Sequence, residues 1–190
     1  VLPASIISLG NYAFSECSGF SGSLNLGRIQ FIGKGTFCNC SGFSGSLTLS
    51  AFVFQILENT FYNCSGFVGK LQLPLFLKTI YSKSFYNCCG FKGDLSIPSS
   101  VSSIKNSAFF NCYGFHGSLK IPEIVSSIDE YAFFNCSGLN GTLTLPKKLT
   151  QISKGLFQNC LKLTGNLTIH ESVEKIEDFA FCNCAAFSGS

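Results

Sequence analysis

Residues 97 to 117 read Ile97-Pro98-Ser99-Ser100-Val101-Ser102-Ser103-Ile104-Lys105-Asn106-Ser107-Ala108-Phe109-Phe110-Asn111-Cys112-Tyr113-Gly114-Phe115-His116-Gly117, and near copies of this stretch lie on both sides of it. Aligned on Cys17, Cys40, Cys64, Cys88, Cys112, Cys136, Cys160 and Cys184, the copies are spaced 23 residues apart once and 24 apart six times. Three residues before each of these cysteines stands a Phe: Phe14, Phe37, Phe61, Phe85, Phe109, Phe133, Phe157 and Phe181. Three residues after comes Phe or Leu, and two further on a Gly, from Gly22 and Gly45 through to Gly165 and Gly189. An apolar L-x-[LI] pair follows, as in Leu71 and Leu73 or Leu119 and Ile121. Pro74, Pro98, Pro122 and Pro146 close that pair in the middle of the chain, and V-x-x-I completes the unit.

A unit with about eight fixed apolar positions cannot close a core alone, so copies must stack until like residues sit over like residues. The Phe residues then form an internal ladder. L-x-L alternates inward and outward as a strand does, pairing in parallel with its copies at about 4.8 Å per unit and giving a sheet roughly 34 Å long. V-x-x-I is a candidate second strand, and S-A-F-x-N-C has the small-then-bulky character of a single helical or 3₁₀ turn. Fourteen of the 19 glycines fall at the two fixed positions after Cys, where the chain corners and positive φ is expected. Pro, lacking an N–H, ends pairing after the strand. The strand-led units start near residues 24, 47, 71, 95, 119, 143 and 167, which makes residues 1–190 a single array of about eight units. Both ends fall inside units without an atypical polar cap, so the expectation is a fragment of a longer solenoid.

The phrase L-P-x-x-V-x-x-I-x-x-x-A-F-x-x-C, present here from Ile97 to Cys112, resembles the BspA-like branch of the leucine-rich repeat proteins, and the resemblance covers essentially the whole chain. It implies a leucine-rich repeat solenoid: short parallel β-strands, one or two per 24-residue repeat, with short helical or 3₁₀ turns. The unit here is about a residue longer than the family's, the addition lying at the Gly turn of Gly114-Phe115-His116-Gly117. Departures, each expected to distort the coil locally, are Gly27-Arg28-Ile29 with one turn residue missing, Lys162 and Ala186 at the first Gly position, and Ser50 and His170 at the Pro position. By analogy with the family, the resemblance implies a microbial surface-exposed or secreted protein engaged in adhesion to host proteins and other cells.

Composition narrows the function classes. The chain is 46% hydrophobic and only 12% charged, yet its longest apolar run, Ala51 to Leu57, is broken by Gln55, so this segment inserts no membrane helix. Net charge is +3, and the 13 basic residues are scattered apart from the Lys147-Lys148 pair, which argues against nucleic acid as a partner. Val1-Leu2-Pro3-Ala4 shows no signal pattern, so any secretion signal has been removed or lay upstream. Glu171, Glu174, Glu177 and Asp178 read as a solvated acidic face.

No catalytic constellation emerges, and the expectation is a protein that is not an enzyme, with neither cofactor nor metal. Eight of the eleven cysteines share one ladder position with apolar neighbours, which favours buried thiols, with oxidation in adjacent pairs as the alternative. Cys38, Cys89 and Cys182 lie off the ladder and are the candidates for exposure. The C-x-C pairs at Cys38/Cys40 and Cys182/Cys184 lack the second ligand pair of a zinc signature. His116 and His170 occupy different repeat positions and read as isolated surface residues. Sequons at Asn39, Asn63 and Asn135 arise because the repeat writes N-C-S, where the Asn amide is expected to satisfy turn backbone; Asn140 and Asn166 are the better glycan acceptors.

Binding is expected on the outward, concave face of the strand row, at Thr48, Gln72, Ser96, Lys120, Thr144 and Thr168 with their flanking residues. Lys70, Gln72, Lys92, Asp94, Ser96, His116 and Lys120 form its middle, whose modest basic character suits an acidic or hydroxyl-rich protein; good exposed strand formers are the bland reading of its Thr and Ser. A second candidate is the residue after the ladder Phe: Tyr62, Tyr86, Phe110 and Phe134 in four consecutive units, a lateral contact if exposed and extra core if buried. The function read from these features is a non-catalytic protein–protein interaction module, adhesin-like, at the cell surface or secreted. An intracellular structural scaffold holding other proteins at fixed spacing is the alternative. Protein partners, and neighbouring repeats of the same chain, are the ligands it implies.

Overall fold

The structure, a computed structural model, describes residues 2–188. The chain winds through about eight coils, and two rows of short parallel strands run along the stack. The V-x-x-I phrase supplies one row: β1 (Ser8–Leu9), β3 (Phe31–Ile32), β5 (Gln55–Ile56), β6 (Thr79–Ile80), β7 (Ser103–Ile104), β9 (Ser127–Ile128), β11 (Gln151–Ile152) and β13 (Lys175–Ile176). The L-x-L phrase supplies β2 (Leu24–Leu26), β4 (Leu47–Leu49), β8 (Leu119–Lys120) and β10 (Leu143–Thr144). Just upstream of that phrase in the last coils lie β12 (Gly165–Asn166) and β14 (Phe187–Ser188).

The weight of the two rows is the reverse of the expectation. The longest sheet, β5-β6-β7-β9, belongs to V-x-x-I, with Ile56, Ile80, Ile104 and Ile128 in register. L-x-L pairs only as β2-β4 and β8-β10, and its copies at Leu71–Leu73 and Leu95–Ile97 form no strand among the described residues. Proline accounts for part of this. The three-residue ladder of Leu24–Leu26 with Leu47–Leu49 occurs where Gly27 and Ser50 replace Pro, whereas Pro98, Pro122 and Pro146 follow shorter or absent strands. Instead of one continuous sheet of roughly 34 Å, the row is a series of patches.

No helix forms among the described residues, and S-A-F-x-N-C is a run of alternating bonds. Ala108, Phe110 and Cys112 donate their N–H groups to carbonyls three residues back, at 3.1 to 3.3 Å. Between them, Ser107, Phe109 and Asn111 donate to Glu130, Ala132 and Phe134 of the next coil, at 2.8 to 3.0 Å. The alternation requires left-handed backbone at two positions per coil: φ is +54° at Ser107 and +62° at Asn111, and both positions are positive in every other coil. Asn, which tolerates this region better than other side chains, fills the second position from Asn39 to Asn183. The first glycine after Cys has another purpose. Its φ is not positive; a Cβ on Gly42, Gly66, Gly90, Gly114 or Gly138 would instead overlap two carbonyl oxygens of the preceding coil. Positive φ belongs to the second glycine, at Gly22, Gly69, Gly93, Gly117 and Gly165; Gly189 lies outside the described residues.

Inside the coils the ladder Phe rings stack face to face from Phe14 to Phe181, with centroids 5.4 to 5.7 Å apart. Phe43, Phe67, Phe91 and Phe115 form a second buried column, whose rings meet the first edge-on in most coils, a favoured aromatic geometry. Each ladder Cys from Cys40 to Cys184 donates its Sγ–H to the ladder Phe carbonyl of the preceding coil, 26 residues earlier for Cys40 and 27 for the others, at 2.9 to 3.2 Å. The short turn at Gly27-Arg28 is absorbed locally: Asn25 Oδ1 accepts the Gly27 N–H at 2.9 Å, and Leu26 and Ile29 remain buried. At the other substituted positions, Ser50 Oγ accepts the Phe52 N–H, and His170 Nε2 lies 3.1 Å from the Leu145 carbonyl.

Candidate functional site

All seven residues of the expected strand-face site are solvent-exposed, and four of them converge. Lys70, Asp94, Ser96 and Lys120 line a groove of about 850 Å³, completed by Leu95, Ile97, Ser99, Ser118, Pro122, Glu123 and Ile124. The groove is built where the outward L-x-L positions Ser96 and Lys120, with Lys70 and Asp94 just ahead of the phrase in their coils, face the turn after Pro122. Gln72, Lys92 and His116 lie outside it. His116 is partly committed to the frame, its Nδ1 accepting the Gly93 N–H at 3.2 Å, which leaves the ring proton on Nε2. The neighbouring coil repeats the device with Asn140 Oδ1 and the Gly117 N–H at 2.8 Å.

The electrostatics differ from the sequence reading. Asp94 and Glu123 share the groove with Lys70 and Lys120, so it is charge-balanced rather than basic. Glu123 escapes notice in the sequence because it belongs to the turn column, not to the strand columns. A balanced, hydroxyl-rich trough with an apolar floor at Leu95 and Ile97 can hold an extended segment carrying both charge signs.

The aromatic stripe is neither fully exposed nor core. Tyr62, Tyr86, Phe110 and Phe134 are half-buried and stacked, with centroid spacings of 4.8, 4.6 and 4.4 Å and ring planes within 14° of parallel. Burial, with a smaller contribution from Tyr62, raises the Tyr86 hydroxyl above its ordinary pKa. The column rises from the turn run, not from the strand row, so the structure gives two separate faces.

All eleven cysteines are free, and the off-ladder Cys38, Cys89 and Cys182 are half-buried. Burial pushes the Cys40 and Cys184 thiols up to about 11 and those of Cys64, Cys88, Cys112, Cys136 and Cys160 higher still. Thiols so held are poor nucleophiles, because the thiolate is the reactive form. No group of three or more metal-ligating side chains occurs among the described residues. No helix there is long and apolar enough to cross a membrane. The asparagines before the ladder cysteines, Asn39, Asn63 and Asn135 of N-C-S among them, do not serve turn backbone as expected. Their amides bond one another: Asn63 to Asn39, Asn87 to Asn63, Asn111 to Asn87, Asn135 to Asn111 and Asn183 to Asn159, at 2.5 to 3.1 Å. Asn140 and Asn166 are exposed.

Sequence reasoning missed one feature. Phe52, Phe54, Leu75 and Phe76 stand exposed on the turn after the L-x-L phrase in two consecutive coils. The alignment carries the signal, since the corresponding pairs in later coils are Ser99-Ser100, Glu123-Ile124, Lys147-Lys148 and Glu171-Ser172.

Comparison with known proteins agrees with this architecture. The model of the BspA type leucine rich repeat region matches residues 1–116 and 116–188 in six copies. A leucine-rich repeat protein from Bacteroides ovatus superposes with a TM-score of 0.77 at 25% identity, over 90% of this chain and 45% of the other. The chain thus spans less than half the length of that relative. The T. pallidum leucine rich repeat protein superposes at 0.65 and 22% identity, over 98% of this chain and 76% of its own. No curated protein sequence matches. With family match, repeat phrase and stacked coils in agreement, the chain belongs to the BspA-type leucine-rich repeat family, whose solenoids are protein-interaction modules.

Proposed function

We propose that this chain is a non-catalytic interaction module of a cell-surface or secreted, adhesin-like protein, and that it holds an extended polar segment of a protein partner in the groove lined by Lys70, Asp94, Ser96 and Lys120. The observation that carries the reading is the groove itself. Its side chains project from coils locked to one another by backbone bonds, so the partner meets a preorganised surface and little ordering entropy is lost there. Asp94 and Glu123 beside the two lysines favour a partner with alternating charges over a uniformly acidic one.

The test compares the wild-type chain with a Lys70→Ser/Lys120→Ser variant for binding to intact cells and to an array of extracellular proteins. Affinity lost by tenfold or more, with an unchanged urea unfolding curve, supports the groove; equal binding refutes it. Antibody labelling of unpermeabilised source cells tests the location. Labelling only after permeabilisation refutes the surface reading and favours the intracellular scaffold, for which the eleven free thiols are the supporting observation.

A further inference from the structure

We propose that the apolar ledge formed by Phe52, Phe54, Leu75 and Phe76 is a self-association surface that pairs two copies of this chain. The four side chains are 61%, 53%, 76% and 60% exposed. The coil does not require them. The same turn is built from Ser99-Ser100, Lys147-Lys148 and Glu171-Ser172 elsewhere, and Phe54 aligns with Lys78, Ser102 and Ser126. With aromatic side chains presenting roughly 150–250 Å² each, the four residues leave about 450 Å² of apolar surface in water, and Phe31 and Ile7, half-exposed in the preceding coils, extend this to about 650 Å². A monomer's largest exposed apolar patch is ordinarily about 300–600 Å².

The occupant follows from what the ledge offers. It has area and no carboxylate; its charged neighbours, Arg28 and Lys78, are cations at its margin. A surface without a charge pattern selects no charged partner, whereas a twofold axis applies such a surface to itself with the cations left in solvent at the rim. Two ledges bury up to about 1,300 Å² together, at the lower end of the range for specific interfaces, the size of a reversible contact. The ledge also adjoins the groove: Ser100, next to the groove residue Ser99, donates its Oγ–H to the Leu75 and Leu77 carbonyls at 2.6 and 2.8 Å. Dimerisation therefore sets two grooves in one particle, and it stands or falls independently of what the grooves bind.

Sedimentation equilibrium from about 1 to 200 µM reads the mass. The wild-type chain is expected to rise from 20.5 kDa toward twice that value. Phe52→Ser/Phe76→Ser, and separately Leu75→Glu, stay monomeric with an unchanged circular dichroism spectrum, because all three side chains are exposed. Ile124→Ser, in the same turn column two coils beyond Phe76, dimerises like wild type. A wild-type chain of 20.5 kDa throughout overturns the proposal, and so do ledge variants that dimerise like wild type. A monomer that instead uses these residues to co-sediment with anionic phosphatidylserine vesicles overturns it as well.

Discussion

Replacing Asn111 separates the two contributions its position makes. The residue sits at φ +62° and its amide donates to Asn87 Oδ1 at 3.0 Å while its own Oδ1 accepts from Asn135. Left-handed backbone costs a residue other than Gly roughly 1–2 kcal/mol, and the two amide bonds contribute about 1 kcal/mol each. Asn111→Ala loses both bonds and gains most of the backbone penalty, so its expected cost is about 3–4 kcal/mol. Asn111→Gly loses the same bonds without the backbone penalty, and its expected cost is about 2 kcal/mol. With a urea m-value of about 2 kcal/mol per M, the unfolding midpoint falls by roughly 1.7 M for Ala and 1 M for Gly. Equilibrium urea unfolding followed by tyrosine fluorescence measures both. Equal midpoints for Ala and Gly would refute the backbone account, and a Gly variant as stable as wild type would show that the amide ladder contributes nothing.

The buried thiols carry a pH dependence. Burial holds Cys64, Cys88, Cys112, Cys136 and Cys160 protonated in the folded chain far above their ordinary 9.0, so only the unfolded chain releases these protons first. Stability is therefore full below about pH 9 and falls as pH rises beyond it, by about 1.4 kcal/mol per thiol for each pH unit and several kcal/mol in total near pH 10. Urea midpoints between pH 7 and 10.5 read this slope; Cys40 and Cys184, held up to about 11, add to it, so Cys88→Ala should remove about one seventh, and a flat profile would contradict the placement of the thiols. Ser84 has a buried hydroxyl without a hydrogen-bond partner, where the next coils carry Ala108 and Ala132. Ser84→Ala is expected to raise stability by up to about 1 kcal/mol, and a loss of more than that in thermal unfolding would show that the hydroxyl has a partner.

The stack was legible because one spacing governs every coil: Phe109 and Cys112 have equivalents at 24-residue steps, and side chains that recur so must superimpose. Which phrase makes the larger sheet was not legible, because L-x-L carries the period-two alternation of a strand and V-x-x-I does not, and the backbone hydrogen-bond supply decides between them. The Asn of N-C-S was expected to serve its own turn, but its partner is a residue 24 positions away, a distance that local turn rules do not reach. Of the strand-face residues, Lys70, Asp94, Ser96 and Lys120 share one groove, and its charge balance was not legible because Glu123 approaches from another column. The ledge needed only a comparison of turn residues between coils. Phe52 and Phe76 stand where polar side chains suffice, whereas attention to the periodic positions passes over such columns.

The first full coil is one residue shorter than the others, and the missing residue falls in the outer turn between Leu26 and Ile29, while Leu26 still pairs with Leu49 and Leu9 with Ile32. Chain length in this protein is therefore quantised. A duplication or loss of a whole coil leaves every column in phase and merely widens or narrows the surface by one step, so arrays of different reach can descend from one another without redesign. A single deleted residue is absorbed here in the post-strand turn, whereas one lost or gained between the ladder Phe and Cys would rotate the Phe, Cys and Asn columns out of alignment together.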